Sequence, residues 1–503
     1  MAFIRSSMYG LVSGLADSCP DKEAFLNDSL ALTWRQVLRR TRNTAARFHA
    51  AGVKAGDTVL VFMPRCIDTP LITTALRALG AVAVLLAPEA DNPKDRAFLS
   101  GTHRDPWYLS VRLPDLRWTL EKDGAAVSFF TGDPVPDDAV PPLRTETVQG
   151  EPSFIIYTAG STGLNKGVVL TEYAMVNQAR VQAAASDVRA DDRCMCVFPM
   201  HHIAGNVVVI QALATSCSIF FASTRYPEYV AKAIGTFRCT RLESVPTFFM
   251  MISATARRSN VDISSLRVGV VAGASYSPEQ FMTIEEVLGI RLYPSYGMTE
   301  MAPVICSPEP DAPIGIRARS VGRFAPGVEG VLKAPGGEAV TEPFKEGEIC
   351  VKGYPLMLGY LEDDGSLDRP LDPEGFFHTG DLGYRDPEGN VYITGRCKDI
   401  IIRGGENLSC SRIATSVTRI PGVSDAVAVG IPDPKYGETV GILAVTDAYD
   451  HEGLMKAFED VLRPCEMPAG LVITDTVPVN SAGKPDRKVI RRLLEDAVMK
   501  KVK

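Results

Sequence analysis

The chain has 503 residues with 53 basic and 60 acidic side chains, which gives a formal net charge of −7. Hydrophobic residues make up 46% of the sequence and charged residues 22%, alongside 42 glycines and 35 prolines. This composition is that of a globular protein of two to four domains, and it excludes a disordered chain, a coiled coil and a collagen-like fibre. Because the charge is mildly negative and no basic stripe is evident, we expect no nucleic-acid partner.

Helical and strand patterns alternate from the start of the chain. Residues 1–18 predict an amphipathic helix rather than a leader peptide, because Asp17 interrupts the apolar stretch and no cleavage site follows. The alternation predicts an α/β fold with a large, doubly wound N-terminal domain. Its predicted strands are 58–63, 81–86, 219–222, 241–244 and 268–272, and residues 69–79 predict a helix between the first two.

The most apolar stretch, residues 207–222, contains Gln211, Thr215, Ser216 and Ser218. It is too short and too polar to span a bilayer, and it predicts a buried helix followed by a strand. No membrane span is therefore expected. Residues 89–149, in contrast, show no readable pattern.

The pattern changes at residue 347, where short strands and glycine-rich turns predict a β-rich subdomain. The last hundred residues return to a mixed α and β pattern, and we place a domain boundary near residues 396–399. The predicted elements of these two parts are strands 347–353, 389–394, 399–403, 423–429 and 440–445 and a helix over 453–462.

Eleven cysteines are scattered along the chain without CxxC spacing. An odd number without paired spacing favours reduced thiols and a cytoplasmic location over a disulfide framework. Cys194 and Cys196 point to one face of a predicted strand. With no histidine or cysteine partner nearby in the sequence, they predict core packing rather than a metal site.

A glycine-rich loop gives the strongest local signal for chemistry. Residues 157–167 read YTAGSTGLNKG and follow an apolar strand. Glycines allow backbone N–H groups to approach an anion closely, and the hydroxyls and Lys166 add donors and positive charge, which suits a polyphosphate. The spacing is not that of a Walker P-loop, and the structural alternative is a glycine-rich hairpin with no ligand.

Further motifs follow in a fixed order along residues 20–490. They are PMHHIAG at 199–205, VPT at 245–247, AGA at 272–274, SYGMTE at 295–300, GEI at 347–349, GY at 359–360, HTGD at 378–381, GRCKD at 395–399, GGEN at 404–407 and NSAGK at 480–484. In this order they resemble the adenylate-forming superfamily, which includes acyl- and aryl-CoA ligases, adenylation domains of peptide synthetases and beetle luciferases.

The resemblance implies a carboxylic acid–CoA ligase. Such an enzyme uses ATP and Mg²⁺ to form acyl-AMP and then transfers the acyl group to coenzyme A. It also implies a large N-terminal domain, residues 1–397, and a small, mobile C-terminal α+β lid, residues 398–503, with the hinge at Lys398. Gly404 and Gly405 would border the channel for the CoA thiol.

The same resemblance assigns the nucleotide site. Tyr296 would stack on adenine, Asp381 and Arg396 would hold the ribose, and the glycine-rich loop would hold the phosphates. The alternatives are a core aromatic for Tyr296 and a surface ion pair for Arg396. The full set of expected ATP- and AMP-binding residues is Thr158, Ser161, Thr162, Gly163, Lys166, Gly273, Ala274, Ser275, Ser295, Tyr296, Gly297, Asp381 and Arg396.

Three residues carry the expected chemistry of the first step. Lys484 would bridge the acid carboxylate and the α-phosphate, Thr299 would bind the α-phosphate, and Glu300 would hold Mg²⁺. The alternatives are a solvated lysine for Lys484 and an exposed acid for Glu300.

His202 is the third expected catalytic residue, with Lys484 and Thr299. At the acid pocket it can orient the carboxylate or gate the thiol channel; the alternatives are a packed histidine or, with His201, a metal ligand. The other expected pocket residues are Gly205, Ala272, Gly273 and Met298. Because residues 199–205 lack an aspartate to pair with a substrate ammonium, we expect an aromatic, cyclic or medium-chain acid rather than an α-amino acid.

Several readings stay open at this point. The alternatives are a separate acyl carrier protein as the acceptor instead of CoA, a nucleotide-binding protein without turnover, and luciferase activity. The protein can be a monomer or a homodimer. Departures from the family pattern are Ala159 for serine, Asn165 and Ser275 for proline, and Phe376 for tryptophan.

Overall fold

The computed structural model describes residues 2–113, 115–159, 165–274, 276–397, 399–403, 406–479 and 485–502. These residues form an α/β fold, as predicted. The helices, in chain order, are α1 (Met8–Ser18), α2 (Trp34–Ala51), α3 (Asp68–Leu79), α4 (Pro93–Thr102), α5 (Glu172–Ala185), α6 (Ile203–Thr215), α7 (Pro227–Phe237), α8 (Pro246–Ser259), α9 (Pro278–Leu288), α10 (Ile314–Arg317), α11 (Cys410–Val417), α12 (His451–Glu459) and α13 (Arg487–Val502).

The strands of the described residues pair into four sheets. In chain order they are β1 (Glu23–Leu26), β2 (Ala31–Thr33), β3 (Thr58–Phe62), β4 (Val82–Leu86), β5 (Trp107–Arg112), β6 (Arg117–Lys122), β7 (Ala125–Phe129), β8 (Pro152–Ala159), β9 (Asn165–Thr171), β10 (Arg193–Cys196), β11 (Ser218–Phe221), β12 (Arg241–Ser244), β13 (Val268–Ala272), β14 (Arg291–Gly297), β15 (Val304–Ser307), β16 (Arg323–Phe324), β17 (Val328–Lys333), β18 (Gly347–Gly353), β19 (Gly359–Leu361), β20 (Leu367–Asp368), β21 (Phe377–Arg385), β22 (Val391–Arg396), β23 (Ile400–Arg403), β24 (Glu406–Ser409), β25 (Asp425–Asp433), β26 (Gly437–Val445) and β27 (Gly470–Thr474).

Two nine-stranded sheets dominate the large part of the molecule. Sheet A has the order β16-β15-β14-β13-β12-β10-β11-β1-β2, and sheet B has the order β20-β19-β9-β8-β4-β3-β5-β6-β7. The central strands of both sheets are parallel. Their carboxyl ends therefore lie at one edge of each sheet, which is where open α/β sheets bind ligands.

Both faces of sheet B are covered. In β3, Val59 and Val61 pack into one apolar cluster, whereas Leu60 and Phe62 pack into another on the opposite face. This division follows from the two-residue period of a strand. It explains why β3 reads as a continuous apolar run rather than an alternating one.

A layer of helices lies between sheets A and B. Residues of α1, α2, α3, α5 and α6 join strands of both sheets in a single buried cluster. The outer face of sheet A is covered by α7, α8 and α9, which contribute to a second cluster. The core of the large part is thus shared between its two sheets.

The remaining sheets follow later in the chain. Sheet C is antiparallel, with the order β17-β18-β21-β22. Sheet D contains β24-β23-β26-β25, with β27 on β26, and with its helices it has apolar clusters of its own. The predicted boundary between residues 397 and 398 stays a prediction, and Lys398 itself lies outside the described residues.

Most predicted elements are confirmed within two residues of their bounds. The helix and strand predicted over 207–222 are α6 and β11, and the first helix is α1, which begins only at Met8. Residues 89–149, which showed no pattern, contain α4 and the antiparallel strands β5, β6 and β7 at the edge of sheet B. Their one exposed face and short turns weaken the apolar signal.

The cysteine prediction needs one correction. Cys194 and Cys196 are buried in the core, as predicted, but Cys194 does have a cysteine neighbour. The Sγ atoms of Cys194 and Cys217 lie 3.7 Å apart, because β10 and β11 are adjacent in sheet A. The sequence separation of 23 residues concealed this contact.

No helix in the described part of the chain is both long and apolar enough to cross a membrane.

A buried ion pair links the start of the chain to the helical layer. Glu172 at the start of α5 accepts a hydrogen bond from the Met8 backbone N–H at 2.7 Å, and its other oxygen lies 3.4 Å from Nε of Arg77. Both side chains are at most 4% exposed. Such a pair leaves a costly buried charge when one partner is removed.

We expect Glu172→Gln to destabilise the protein by about 3 kcal/mol, because Arg77 would remain buried without its counter-charge. The measurement is urea unfolding followed by tryptophan fluorescence, since Trp34, Trp107 and Trp118 all lie in elements of the large part. The matched control is Glu228→Gln, which breaks an exposed pair with Arg258 and should cost less than about 1 kcal/mol. Equal effects of the two substitutions would contradict the prediction.

Candidate active site

The ends of two neighbouring parallel strands form the floor of the site. Ala272, the last residue of β13, is paired with Ser295 near the end of β14. The chain then turns at Gly273, whose φ of +79° is a left-handed conformation that suits glycine. The predicted residues Ala272, Gly273, Ser295 and Tyr296 are therefore brought together. Ala274 follows directly, and Ser275 lies outside the described residues.

A short turn after β14 carries Thr299 and Glu300. Both side chains are buried, so the exposed-acid alternative for Glu300 is wrong. Two hydrogen bonds from β19 and the residues just before it hold this turn. The Met357 N–H donates to the Glu300 carbonyl at 2.8 Å, and the Tyr360 hydroxyl donates to Oε1 of Glu300 at 2.8 Å. Burial, and then the charge of Glu300, raise the pKa of Tyr360, which keeps the phenol protonated as the donor.

Tyr360 also contacts the lysine of the glycine-rich motif. The Nζ atom of Lys166 lies 4.3 Å from the centre of the Tyr360 ring, which is the geometry of a cation–π contact. Lys166 and Thr158 are direct cross-strand partners of β9 and β8, at the two sides of the loop. One tyrosine thus positions both the acidic and the basic side chain of the site.

A second network surrounds Asp381. Its Oδ2 accepts a hydrogen bond from the Tyr296 hydroxyl at 2.7 Å, and its Oδ1 accepts one from Nε of Arg396 at 2.7 Å. Asp381 and Arg396 are cross-strand partners in sheet C, whereas Tyr296 comes from sheet A. Burial, and then the charge of Asp381, raise the pKa of Tyr296, so its phenol stays a donor.

Two of the residues predicted for the acid pocket, His202 and Gly205, lie where β10 leads into α6. His202 immediately precedes the first residue of α6, and Asn206 donates to the carbonyls of Met200 and His202, which fixes the loop. Burial lowers the pKa of the neighbouring His201. At Gly205 a Cβ atom would lie 2.6 Å from the Pro199 carbonyl oxygen, so close backbone packing alone requires glycine there.

Sequence reasoning missed two supporting side chains. His103 had no assigned role, yet its Nε2 lies 2.9 Å from the Tyr157 hydroxyl, beside the strand that carries Thr158. Burial lowers the pKa of His103 to about 4, so the imidazole is neutral at pH 7. Tyr360 was named only as part of a motif. The glycine and aromatic content around Tyr360 was the available sequence signal. It did not reveal the contacts of Tyr360, because its partners lie in distant segments of the chain.

The remaining predicted residues divide into two groups. Gly297 and Met298 continue β14 into the turn, where a Cβ on Gly297 would meet the Pro303 carbonyl. The second group lies outside the described residues: Ser161, Thr162, Gly163, Ser275, Lys398, Gly404, Gly405 and Lys484.

The donor set fits a magnesium nucleotide. The Tyr360 hydrogen bond uses Oε1 of Glu300 and leaves Oε2 as an oxygen ligand, which a hard cation such as Mg²⁺ prefers. Phosphate oxygens would supply further ligands, and Lys166 and Thr299 would add a positive charge and a hydroxyl donor. Asp381 offers a fixed carboxylate for sugar hydroxyls.

A model of the AMP-binding enzyme family matches residues 15–361 of the chain. The chain belongs to the AMP-binding enzyme family. Its resemblance to the adenylate-forming superfamily is thereby confirmed. This AMP-binding enzyme is 30% identical to the putative acyl-CoA synthetase YngI of Bacillus subtilis (strain 168), with 97% of each chain covered.

Two further comparisons agree with this result. The AMP-binding enzyme is 27% identical to the 3-[(3aS,4S,7aS)-7a-methyl-1,5-dioxo-octahydro-1H-inden-4-yl]propanoyl:CoA ligase of Mycobacterium tuberculosis, over 95% of this chain and 97% of the relative. The fold matches o-succinylbenzoate CoA synthetase from Bacillus subtilis in complex with its acyl-adenylate intermediate, with a TM-score of 0.80 and 22% identity over 97% of this chain and 98% of that one.

The predicted activity class is confirmed with the family. This AMP-binding enzyme is an AMP-forming acid–CoA ligase: it uses ATP and Mg²⁺ to activate a small carboxylic acid as acyl-AMP and then forms the CoA thioester.

Tyr360→Phe removes the hydrogen bond to Glu300 but keeps the ring that contacts Lys166. Because a hydrogen bond to a charged group contributes about 1.5–3 kcal/mol, we expect kcat/KM for adenylation to fall about 10- to 100-fold. The loss should be largest at low Mg²⁺ concentration. The measurement is pyrophosphate exchange as a function of Mg²⁺ concentration.

The matched control is Tyr293→Phe, which removes a hydroxyl that donates to the Pro310 carbonyl from the same strand as Tyr296. It should leave the Mg²⁺ dependence unchanged. A Tyr360→Phe enzyme whose Mg²⁺ dependence equals that of the wild type would show that Tyr360 does not position Glu300.

Proposed function

We propose that the acid substrate is bulky and largely apolar, with an aromatic or cyclic group or a medium-length chain. The observation that carries this proposal is that Ala272, Gly273 and Met298, which lie at or just after the paired ends of β13 and β14, have small or apolar side chains. Residues 199–205, the predicted pocket segment that contains His202, include no carboxylate. An α-amino acid would leave its ammonium group without a counter-charge there. The bicyclic acid named for the Mycobacterium tuberculosis relative supports a cyclic substrate.

The arrangement of residues supports a division of roles in the first step. A carboxylate oxygen of the acid attacks the α-phosphorus of ATP, the bond to the β-phosphate oxygen breaks, and pyrophosphate leaves. Thr299 and Lys166 would bind phosphate oxygens, and Asp381 would bind the ribose beside the Tyr296 ring. Glu300 would hold Mg²⁺, which neutralises phosphate charge when bound.

Lys484 is our candidate for the residue that stabilises the transition state of this step. Its ammonium group would lower the repulsion between the carboxylate and the α-phosphate and stabilise the charge that develops between them. Only the NSAGK motif supports this role, since Lys484 lies outside the described residues.

The second step requires a different arrangement of the chain. The CoA sulfur attacks the acyl carbonyl, the bond between that carbonyl carbon and the phosphate oxygen of AMP breaks, and AMP leaves. We propose that residues 398–503 rotate about Lys398 between the steps and that Gly404 and Gly405 then border the thiol channel. The separate apolar clusters of sheet D support a unit able to move as one body.

We further infer a cytoplasmic location, since all eleven cysteines are free thiols. A monomer or a homodimer is proposed. A separate acyl carrier protein is proposed as an alternative acceptor to CoA, and it is tested by adding a holo-carrier protein to an assay of pyrophosphate release.

The substrate proposal is tested by pyrophosphate release from MgATP with aryl, cyclic, short, medium and long acids, each with and without CoA. We expect CoA to accelerate release strongly for aromatic, cyclic or medium-chain acids. Ala272→Leu should then shift the substrate preference of the enzyme toward smaller acids, because the larger side chain would occupy space beside Gly273. Gly205 is unsuitable for this purpose, since any side chain there meets the Pro199 carbonyl.

Three results would contradict parts of this proposal. Turnover restricted to short or amino acids would refute the acid class, and unchanged selectivity in Ala272→Leu would place the pocket elsewhere. A stoichiometric burst that only a holo-carrier protein turns into steady release would identify the carrier as the acceptor.

Lys484→Ala should abolish acyl-AMP formation while sparing thioester formation from supplied acyl-AMP and CoA. The physical reason is that charge builds between two anions only in the first step. Both half-reactions are measured separately by chromatography of AMP and acyl-CoA. Lys488→Ala, an exposed lysine on α13, is the control and should change neither half-reaction; equal loss of both steps in Lys484→Ala would refute the separation.

A further inference from the structure

A cluster of metal-binding side chains lies on sheet C, apart from Glu300. Glu348 and Cys350 are two residues apart on β18, and Cys350 is the direct cross-strand partner of His378 on β21. Cross-strand partners project to the same face of a sheet. The pairing of β18 with β21 is irregular between Glu348 and Cys350, and the position of Glu348 in the cluster is given by its 2.8 Å contact with His378. One ligand atom from each of the three residues lies within 4.8 Å of the others.

The distances within the cluster suit a small coordination sphere. The Cys350 Sγ lies 3.5 Å from Nδ1 of His378, and the same Nδ1 lies 2.8 Å from Oε2 of Glu348. Tetrahedral bonds of about 2.0–2.3 Å place ligand atoms roughly 3.2–3.8 Å apart, so the sulfur and the nitrogen are already at this spacing. Only the Glu348 carboxylate would have to move outward, by less than about 1 Å.

The surroundings of His378 supply a second, independent feature of a metal site. Its other ring nitrogen, Nε2, lies 3.4 Å from Oδ2 of Asp372. Asp372 is itself held by Nζ of Lys333 at 2.6 Å. Metal-binding histidines commonly give their second N–H to a carboxylate, which fixes the ring and directs the lone pair of the first nitrogen at the ion.

Glu348 is held in a similar way. Its Oε1 accepts a hydrogen bond from the Gly380 N–H at 3.0 Å, which leaves Oε2 facing Cys350 and His378. The His378 side chain is 39% exposed, so an ion can enter from solvent and a water molecule can complete its coordination. Sulfur, nitrogen and oxygen donors with one open position are typical of zinc and not of Mg²⁺.

The surroundings of Cys350 argue against a role as a nucleophile. Burial, and then the charge of Glu348, raise the pKa of the Cys350 thiol to about 12, so the free thiol is protonated at neutral pH. A protonated thiol is a poor nucleophile.

We propose that Glu348, Cys350 and His378 form a binding site for a divalent transition-metal ion of the zinc class, with Asp372 orienting His378. This site is distinct from the Mg²⁺ position at Glu300 and does not depend on which acid the enzyme uses.

The test uses the full-length protein after chelator treatment and removal of the chelator. It is titrated with Co²⁺, a spectroscopic substitute for Zn²⁺, in excess Mg²⁺ and without nucleotide. We expect one Co²⁺ per chain, with a sulfur-to-cobalt charge-transfer band that disappears when Zn²⁺ is added. Cys350→Ser should abolish this band, and Asp372→Asn should weaken binding about 10- to 100-fold.

Cys19→Ser, which changes a cysteine far along the chain from the cluster, is the control and should keep the band and the affinity. His378→Ala serves as a second ligand variant if Cys350→Ser does not fold, as judged by circular dichroism, because the imidazole is partly exposed. A wild-type protein that shows no charge-transfer band, or ligand variants that keep it, would overturn the proposal and leave the cluster as a histidine–carboxylate hydrogen bond.

Discussion

The shared helical layer between the two nine-stranded sheets is the constraint on which the rest of the structure depends. Because α1, α2, α3, α5 and α6 bury apolar side chains against both sheets, neither sheet can shift without disturbing the other. The candidate site is rigid for the same reason, because its residues lie on both sheets. Its acidic turn follows a strand of sheet A. The tyrosine that contacts this turn and the lysine that contacts the tyrosine both come from sheet B.

The candidate site is therefore formed by residues from several sheets and not by a single loop. Tyr360 connects the turn of Glu300 to sheet B, and Tyr296 connects sheet A to Asp381 in sheet C. Each connection is a hydrogen bond from a phenol to a carboxylate, and such charge-assisted bonds are short and directional. In their proposed roles as ligand-binding groups, Glu300 and Asp381 would need little reorganisation when a substrate arrives.

The sequence allowed a good prediction of the fold, but not of the contacts among the candidate site residues. Strands such as β3 and β13 are recognisable because both of their faces are buried, which leaves an uninterrupted apolar run. The edge strands β5 to β7 and the neighbourhood of Cys217 were missed, since one-sided burial and cross-strand proximity leave little trace in a local pattern. The same reason applies to His103, whose contact with Tyr157 bridges 54 residues.

The state of Asp381 has a consequence for the choice of nucleotide. Tyr296 and Arg396 already hold one oxygen each, so the carboxylate is oriented in the protein without ATP. A carboxylate has about four lone-pair positions, and two remain for the two sugar hydroxyls. A deoxyribonucleotide would leave one buried acceptor without a partner, which is how a site built for a hydroxyl rejects the analogue that lacks it. In the proposed role of Asp381 as the ribose ligand, the bond from Tyr296 that joins sheets A and C and the bond from Arg396 within sheet C would together favour ribonucleotides.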